Sequence, residues 1–151
     1  MTRVLLALAL LASVAHCAGG APSAVAIDPR SDTCAWCRMV ISDARFAAEI
    51  VAPAEEPKLF DDIGCLRDYL ASGAALPPGM VIFVADHRTR AFVVASRAVY
   101  RHLPGAATPM TSGLAAWADE SSCSIDPDAR AGTRRTLTEI FRSTGPRRTD
   151  P

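Results

Sequence analysis

The chain has 151 residues, of which half are hydrophobic, and its 16 basic residues are balanced by 16 acidic ones. Because the folded part contains no basic block, the charge distribution argues against nucleic-acid binding. The apolar run near the N-terminus is shorter than the roughly 20 residues that a membrane-spanning helix needs. The sequence has no second apolar stretch of spanning length, so any attachment to a membrane is expected at its N-terminus.

The N-terminal residues have the pattern of a secretory signal. Arg3 is followed by an apolar run over residues 4–12 and then by small residues, which is typical of a signal peptide. Val14-Ala15-His16-Cys17 resembles a bacterial lipobox, in which Cys17 is acylated, whereas Ser13-Val14-Ala15 also suits ordinary signal peptidase. We predict a signal peptide over residues 1–16 and a periplasmic protein, either lipid-anchored through Cys17 or released.

The rest of the chain divides by composition into three segments. Residues 17–31 are small and contain Pro and Gly, which predicts a flexible tether. Residues 32–143 have the length of one ordinary domain. Residues 144–151 are polar, with Pro and Arg, and predict a disordered tail.

The predicted elements, in chain order, indicate an α+β fold. β-Branched and apolar runs predict five strands, at residues 39–42, 46–51, 58–60, 80–85 and 91–95. Helices are predicted at residues 62–71, 111–118 and 137–142. Asp61 and Asp62 are expected to cap the first helix, and Thr136 with Glu139 has the capping-box pattern. His87 is expected in a solvated hairpin turn.

The run Cys34-Ala35-Trp36-Cys37-Arg38-Met39 sets three sulfur side chains within six residues. Two thiols at this spacing can bind one ion or form a disulfide, but a thioether has no use in a disulfide. Soft sulfur donors together favour Cu(I) over hard cations. If the residues that follow form a strand, Cys37, Met39 and Ile41 lie on one side of it.

Further sulfur occurs downstream. Cys65 is expected in the first turn of a helix, where the helix dipole lowers the pKa of a thiol. Met110 lies in a polar loop stiffened by Pro109, where a core role explains a methionine poorly. Both residues are therefore further candidate ligands for a soft metal.

Other uses of the cysteines remain open. In an oxidising compartment Cys34, Cys37, Cys65 and Cys123 can form structural disulfides, such as Cys65–Cys123, and the same four thiols can bind a structural zinc ion. A thiol oxidoreductase needs a helix after C-x-x-C, whereas β-branched residues follow here. Haem attachment needs a histidine where Arg38 stands.

Three motifs taken together point to one family. The run C-x-x-C-x-M-x-I at residues 34–41, F-D-D-I-G-C at residues 60–65 and T-P-M at residues 108–110 resemble the NosL family, copper-binding accessory lipoproteins of nitrous-oxide reductase. The resemblance covers residues 32 to about 118. It implies a fold of two β-β-α-β units, related to organomercurial lyases.

The resemblance also implies a function in denitrification. It predicts a Cu(I) metallochaperone that works with a membrane transporter complex and the apo-reductase. The metal-binding role falls on Cys37, Met39 and Met110, with Cys34 and Cys65 as further motif positions. A lyase activity using Cys37, Cys65 and Asp62 would leave both methionines without a role, so we do not expect an enzyme.

Overall fold

The computed structural model describes residues 20–142 of the chain. The predicted signal peptide, the lipidation site Cys17 and the C-terminal tail lie outside the described residues. Among residues 20–142, none of the helices has the length and apolar character needed to cross a bilayer.

Seven strands and three helices alternate along the described chain. The strands are β1 Ala48–Val51, β2 Lys58–Phe60, β3 Val81–Ala85, β4 Phe92–Val94, β5 Val99–His102, β6 Leu114–Trp117 and β7 Thr133–Arg135. The helices are α1 Ile63–Ala71, α2 Glu120–Ile125 and α3 Leu137–Phe141, with short 3-10 turns at Ala95–Arg97 and Pro127–Ala131. This mixture of strands and helices agrees with the α+β fold predicted from the sequence.

The strands form two small antiparallel sheets, with the orders β2-β1-β3-β4 and β6-β5-β7. The order strand, strand, helix, strand occurs twice, as β1-β2-α1-β3 and as β5-β6-α2-β7. In each case the first strand lies in the middle of its sheet. We call residues 48–85 the first half and residues 99–135 the second half.

The two halves are joined at the end of β3. Asp86 makes a parallel bridge to Ala116 of β6, and the His87 N–H donates to the Ala116 carbonyl at 2.8 Å. Strand β1 is buried along its whole length, so even Glu49 has no exposed surface. Its carboxylate accepts the Val25 N–H at 3.1 and 3.3 Å, which brings the segment predicted as a tether onto the domain at this point.

The elements that depend on local signals form as predicted. Strands β2, β3 and β4 and helix α1 match the expected ranges. Asp62 caps α1 by accepting the Gly64 N–H at 2.5 Å, whereas Asp61, the other expected cap, instead accepts the Ser42 N–H at 2.8 Å. Thr136 and Glu139 form the expected capping box at the start of α3.

Two predicted elements are wrong. Residues 39–42 are not a sheet strand, because Arg38 has a φ of +67° and turns the chain, so that Val40 makes only an isolated bridge to Thr33. Residues 111–118 are not helical. Leu114–Trp117 pairs with β5 and is buried along its whole length, and this pairing and burial override the helical preference of its Leu and Ala residues.

Candidate metal centre

The C-x-x-C segment forms a tight loop. The Arg38 N–H donates to the Cys34 carbonyl at 3.1 Å, and the Cys34 N–H donates to the Met39 carbonyl at 2.8 Å. The loop is attached to β2 because the Ala35 N–H donates to the Leu59 carbonyl at 2.7 Å. Both thiols therefore lie beside the end of β2, where α1 begins.

A third thiol joins them from α1. Cys65 lies in the first turn of this helix, and the sulfurs of Cys34, Cys37 and Cys65 all lie within 4.8 Å of one another. Around one metal ion, sulfur–metal bonds of about 2.3 Å place the sulfurs roughly 4 Å apart. Cys34 and Cys65 are each 1% exposed, whereas Cys37 is half-buried. The three residues thus have the spacing of a thiolate site with one ligand near the surface.

The surroundings of Cys34 favour its thiolate. Burial raises the pKa of the Cys34 thiol, but hydrogen bonds from the backbone N–H groups of Asp61, Cys37 and Trp36 and from the Cys37 side chain lower it by more. The net shift of the Cys34 pKa is downward. Backbone donors stabilise negative charge on a sulfur without adding a competing side-chain ligand.

The other two thiols have raised pKa values. Burial is the largest cause for both. The charge on Cys34 also raises the pKa of Cys37, and the charges on both neighbouring sulfurs raise that of Cys65. The expectation that the helix start lowers the pKa of Cys65 is therefore wrong, because burial and two adjacent sulfurs outweigh the dipole. Ionising all three thiols needs a compensating cation.

Met39 lies at the surface beside the thiol cluster. Its backbone N–H donates a hydrogen bond to the Cys37 sulfur, and 47% of the residue is exposed. The expected common face of Cys37, Met39 and Ile41 is wrong, because Met39 is exposed whereas Ile41 is fully buried. The left-handed residue Arg38 interrupts the alternation that an extended strand would have produced.

The loop that contains Met110 is held against the start of α1. The Met110 N–H donates to Asp62 Oδ2 at 3.2 Å, and the Ser112 hydroxyl donates to Asp62 Oδ1 at 2.5 Å. Gly64 permits this approach, since a Cβ there would lie 2.6 Å from the Ser112 Cβ. Met110, 38% exposed, therefore belongs to a loop anchored to the helical turn that carries Cys65.

Cys123 lies apart from these sulfurs. Its thiol accepts a hydrogen bond from Arg101 Nε at 3.1 Å and packs in a separate core cluster with Trp117 and Leu103. Within residues 20–142 all four cysteines are free thiols. The four-cysteine grouping required by the structural-zinc interpretation and the Cys65–Cys123 bridge are not formed.

A second ligand-type cluster was not anticipated. His87 is buried instead of solvated, and its ring lies close to the carboxylates of Asp126 and Asp128. The fold brings together a hairpin residue and two residues that are about 40 positions further along the chain. The short Asp-Pro-Asp sequence was the only local signal, and it did not indicate the histidine.

Comparisons of the chain with protein-family models, with curated proteins and with solved structures find no match. A functional proposal therefore depends on the chemistry of the sulfur cluster and on the sequence motifs that form it.

Proposed function

We propose that this protein is an exported Cu(I)-binding metallochaperone that delivers copper for the maturation of nitrous-oxide reductase. The proposal depends on one observation above all, the convergence of Cys34, Cys37 and Cys65 within 4.8 Å. Thiolates accept both Cu(I) and zinc, and the thioethers of Met39 and Met110 are the donors that favour Cu(I). The reductase, the membrane transporter complex and the periplasmic location are inferred from the resemblance to the NosL family. The repeated strand, strand, helix, strand order is compatible with the fold that this resemblance implies.

The distribution of exposure suits a carrier of copper. Cys34 and Cys65 are buried and would retain the ion, while the half-buried Cys37 would exchange it with a partner. The exposed thioethers of Met39 and Met110 are neutral soft donors that can enter or leave the coordination sphere without taking up a proton. Transfer then proceeds by exchange of sulfur ligands with copper remaining Cu(I).

A structural zinc site is the second candidate, favoured by the nearly complete burial of Cys34 and Cys65. Structural zinc sites have four protein ligands in a closed tetrahedron. The cluster supplies three thiols, and Cys123 is bound to Arg101 in the other half. Copper, which accepts lower coordination numbers with sulfur, is the better match to the donor set.

An enzymatic role for the same residues has less support. Asp62, the acid that a lyase mechanism would need, accepts hydrogen bonds from Gly64, Met110 and Ser112. Its carboxylate thus caps α1 and anchors a loop. We therefore propose a binding protein.

The proposal is tested by titrating the exported chain with Cu(I) and with Zn²⁺ against competing chelators under reducing conditions. We expect one tight Cu(I) site that Cys37→Ser weakens by at least about a hundredfold. Met39→Ala and Met110→Ala should each weaken it by roughly tenfold. Cys123→Ser is the matched control and should leave the affinity unchanged.

Tight zinc binding that is indifferent to both methionine substitutions would instead identify a zinc-structured module. Delivery is tested separately, by mixing the Cu(I)-loaded protein with apo-reductase and the membrane transporter complex. We expect copper to appear in the reductase, and less of it with Met39→Ala. Tight Cu(I) binding without any transfer would limit the role to copper storage.

A further inference from the structure

A second set of ligand-type side chains lies outside the sulfur cluster, where β3 of the first half meets α2 of the second. One ligand atom from each of His87, Asp126 and Asp128 lies within 4.8 Å of the other two. The side chains of His87 and Asp126 are 4% and 6% exposed, and that of Asp128 is 59% exposed. The cluster therefore has a buried inner part and one ligand at the surface.

Asp126 fixes the orientation of the His87 ring. Its Oδ2 lies 2.9 Å from His87 Nδ1 and accepts the Trp117 indole N–H at 2.9 Å. Its Oδ1 accepts the Asp128 N–H at 3.0 Å.

Both oxygens of Asp126 already accept N–H groups, from Trp117 and Asp128, so the carboxylate acts as an acceptor and His87 Nδ1 carries the proton in this contact. The other ring nitrogen, Nε2, is then the atom that can bind a metal ion. A carboxylate that holds the Nδ1–H of a histidine in this way is the usual outer partner of a metal-binding imidazole.

His87 Nε2 makes no hydrogen bond to any residue within 20–142, and its nearest carboxylate oxygen is Asp128 Oδ2 at 3.9 Å. Nitrogen and oxygen ligands on one tetrahedral ion lie about 3.3 Å apart. A small rotation of the exposed Asp128 side chain closes this difference. The present separation is too long for a hydrogen bond and close to that of two ligands that share an ion.

The space beside the ring can hold the remaining ligands of an ion. His87 and Asp128 line a cavity of about 410 Å³ that also contacts Phe46 and Leu103, which is ample for water molecules. Arg45 also lies in the cavity wall. Its guanidinium is paired with Asp43 at 2.6 and 3.0 Å, which offsets part of its charge, and it also interacts electrostatically with Asp128 and Asp126.

We propose that His87 Nε2 and the Asp128 carboxylate bind a divalent cation of borderline hardness, with Zn²⁺ as the best match, and that Asp126 orients the imidazole. Imidazole and carboxylate suit such ions, whereas Cu(I) prefers the thiols. The domain then holds two chemically distinct metal sites, one with sulfur ligands and one with nitrogen and oxygen ligands. The inference itself uses no sulfur ligand, and only the experiment that tests it rests on the copper proposal.

The test uses the full exported chain with its sulfur site already filled by Cu(I), so that added Zn²⁺ meets only nitrogen and oxygen donors. We expect calorimetry to detect one further Zn²⁺ per chain. Asp128→Asn should weaken this binding by at least about tenfold, and Asp126→Asn should weaken it by a similar factor. Glu56→Gln, at another exposed carboxylate, is the control and should have no effect.

Asp128→Asn is the decisive variant because its side chain is 59% exposed, whereas His87 is buried and packs between Phe46 and Trp117. Co²⁺ provides a second readout, since a nitrogen and oxygen site lacks the intense charge-transfer absorption of thiolate ligands. Absence of Zn²⁺ binding, or binding that Asp128→Asn leaves unchanged, overturns the proposal. Cu(I) affinity is measured on the same variants, so failure at either site is recognised separately.

Discussion

The two halves of the molecule begin their helices in the same way but surround them with different side chains. Asp62 caps α1 and Asp119 caps α2 by accepting backbone N–H groups. Each helix then carries a buried cysteine near its start, Cys65 as the third residue of α1 and Cys123 as the fourth residue of α2. Cys65 meets two further thiols, whereas Cys123 meets the guanidinium of Arg101.

The difference arises from the segments that pack against each helix start. In the first half this segment is the C-x-x-C loop attached to β2, together with the Met110 loop. In the second half it is the turn after β3, whose Asp86 accepts hydrogen bonds from Ala118 and Ser122. A helix start with a cysteine is thus a common scaffold, and the loop brought against it determines the chemistry.

The largest expected effect comes from comparing the two helix-start cysteines. Cys65→Ser should lower the Cu(I) affinity about a thousandfold, or roughly 4 kcal/mol, because it removes one of the three thiolates that we propose as Cu(I) ligands. Cys123→Ser should change it by less than twofold. Chelator competition under reducing conditions measures both affinities. Equal losses of affinity in the two variants would contradict the expectation that only Cys65 contributes to Cu(I) binding.

The start of α2 has no sulfur cluster, and the Asp86 carboxylate is the group that packs against it there. Substitution of Asp86 therefore tests how much this carboxylate contributes to stability. Its carboxylate accepts five hydrogen bonds, from Arg88, Thr89, Ala118 and Ser122. Despite burial, these hydrogen bonds lower the pKa of Asp86 to about 2. Asp86→Asn should therefore lower the free energy of unfolding by about 3 kcal/mol at pH 7, as measured by urea denaturation.

The contribution of the Asp86 carboxylate to stability depends on pH. Because the folded pKa of Asp86 is below the unfolded value of 3.8, its stabilisation is complete above about pH 4 and is lost as the pH falls towards 2. The difference between the wild type and Asp86→Asn should shrink over that window. A difference that stays constant from pH 5 to pH 2 would contradict the role of the charged carboxylate.

Glu49 is a buried ionisable residue in β1, and its substitution tests how its charge affects the stability of the first half. Burial raises the pKa of Glu49 to about 7, and the Val25 N–H opposes this shift. A folded pKa above the unfolded value means that stability falls as the pH rises from about 4.5 to 7. Glu49→Gln should remove this loss and be more stable than the wild type at pH 8 by about 2 kcal/mol.

Thermal or urea unfolding at pH 5 and pH 8 measures the effect of Glu49→Gln. Near pH 5 the two proteins should be nearly equally stable, since the wild-type carboxyl is then mostly protonated. A gain of the same size at both pH values would show that the substitution acts through packing instead of charge.

The smallest effect compares the second helical position of α1 and α2. A Cβ on Gly64 would lie 2.6 Å from the Ser112 Cβ, so Gly64→Ala should cost about 1 to 2 kcal/mol and displace the Met110 loop. Ser121→Ala, at the exposed equivalent in α2, should change stability by less than about 0.5 kcal/mol. Unfolding measurements test both, and a tolerated alanine at residue 64 would mean that the loop is not held tightly.

Local signals were sufficient for part of the fold. The Asp62 cap, the Thr136 capping box and strands β2 to β4 follow from side chains within a few residues of one another. The segment 114–117 was predicted as a helix, because Leu-Ala-Ala-Trp has no strong strand preference of its own. Only pairing with β5 made it a strand.

The sequence by itself determined which soft donors are available and that Cys65 begins a helix, because these depend on residue type and short spacing. Tertiary structure alone decided that Cys34, Cys37 and Cys65 converge while Cys123 does not. It also decided that His87 is buried beside Asp126. Such groupings depend on how the C-x-x-C loop packs against β2 and how the two halves meet, and these contacts join residues tens of positions apart.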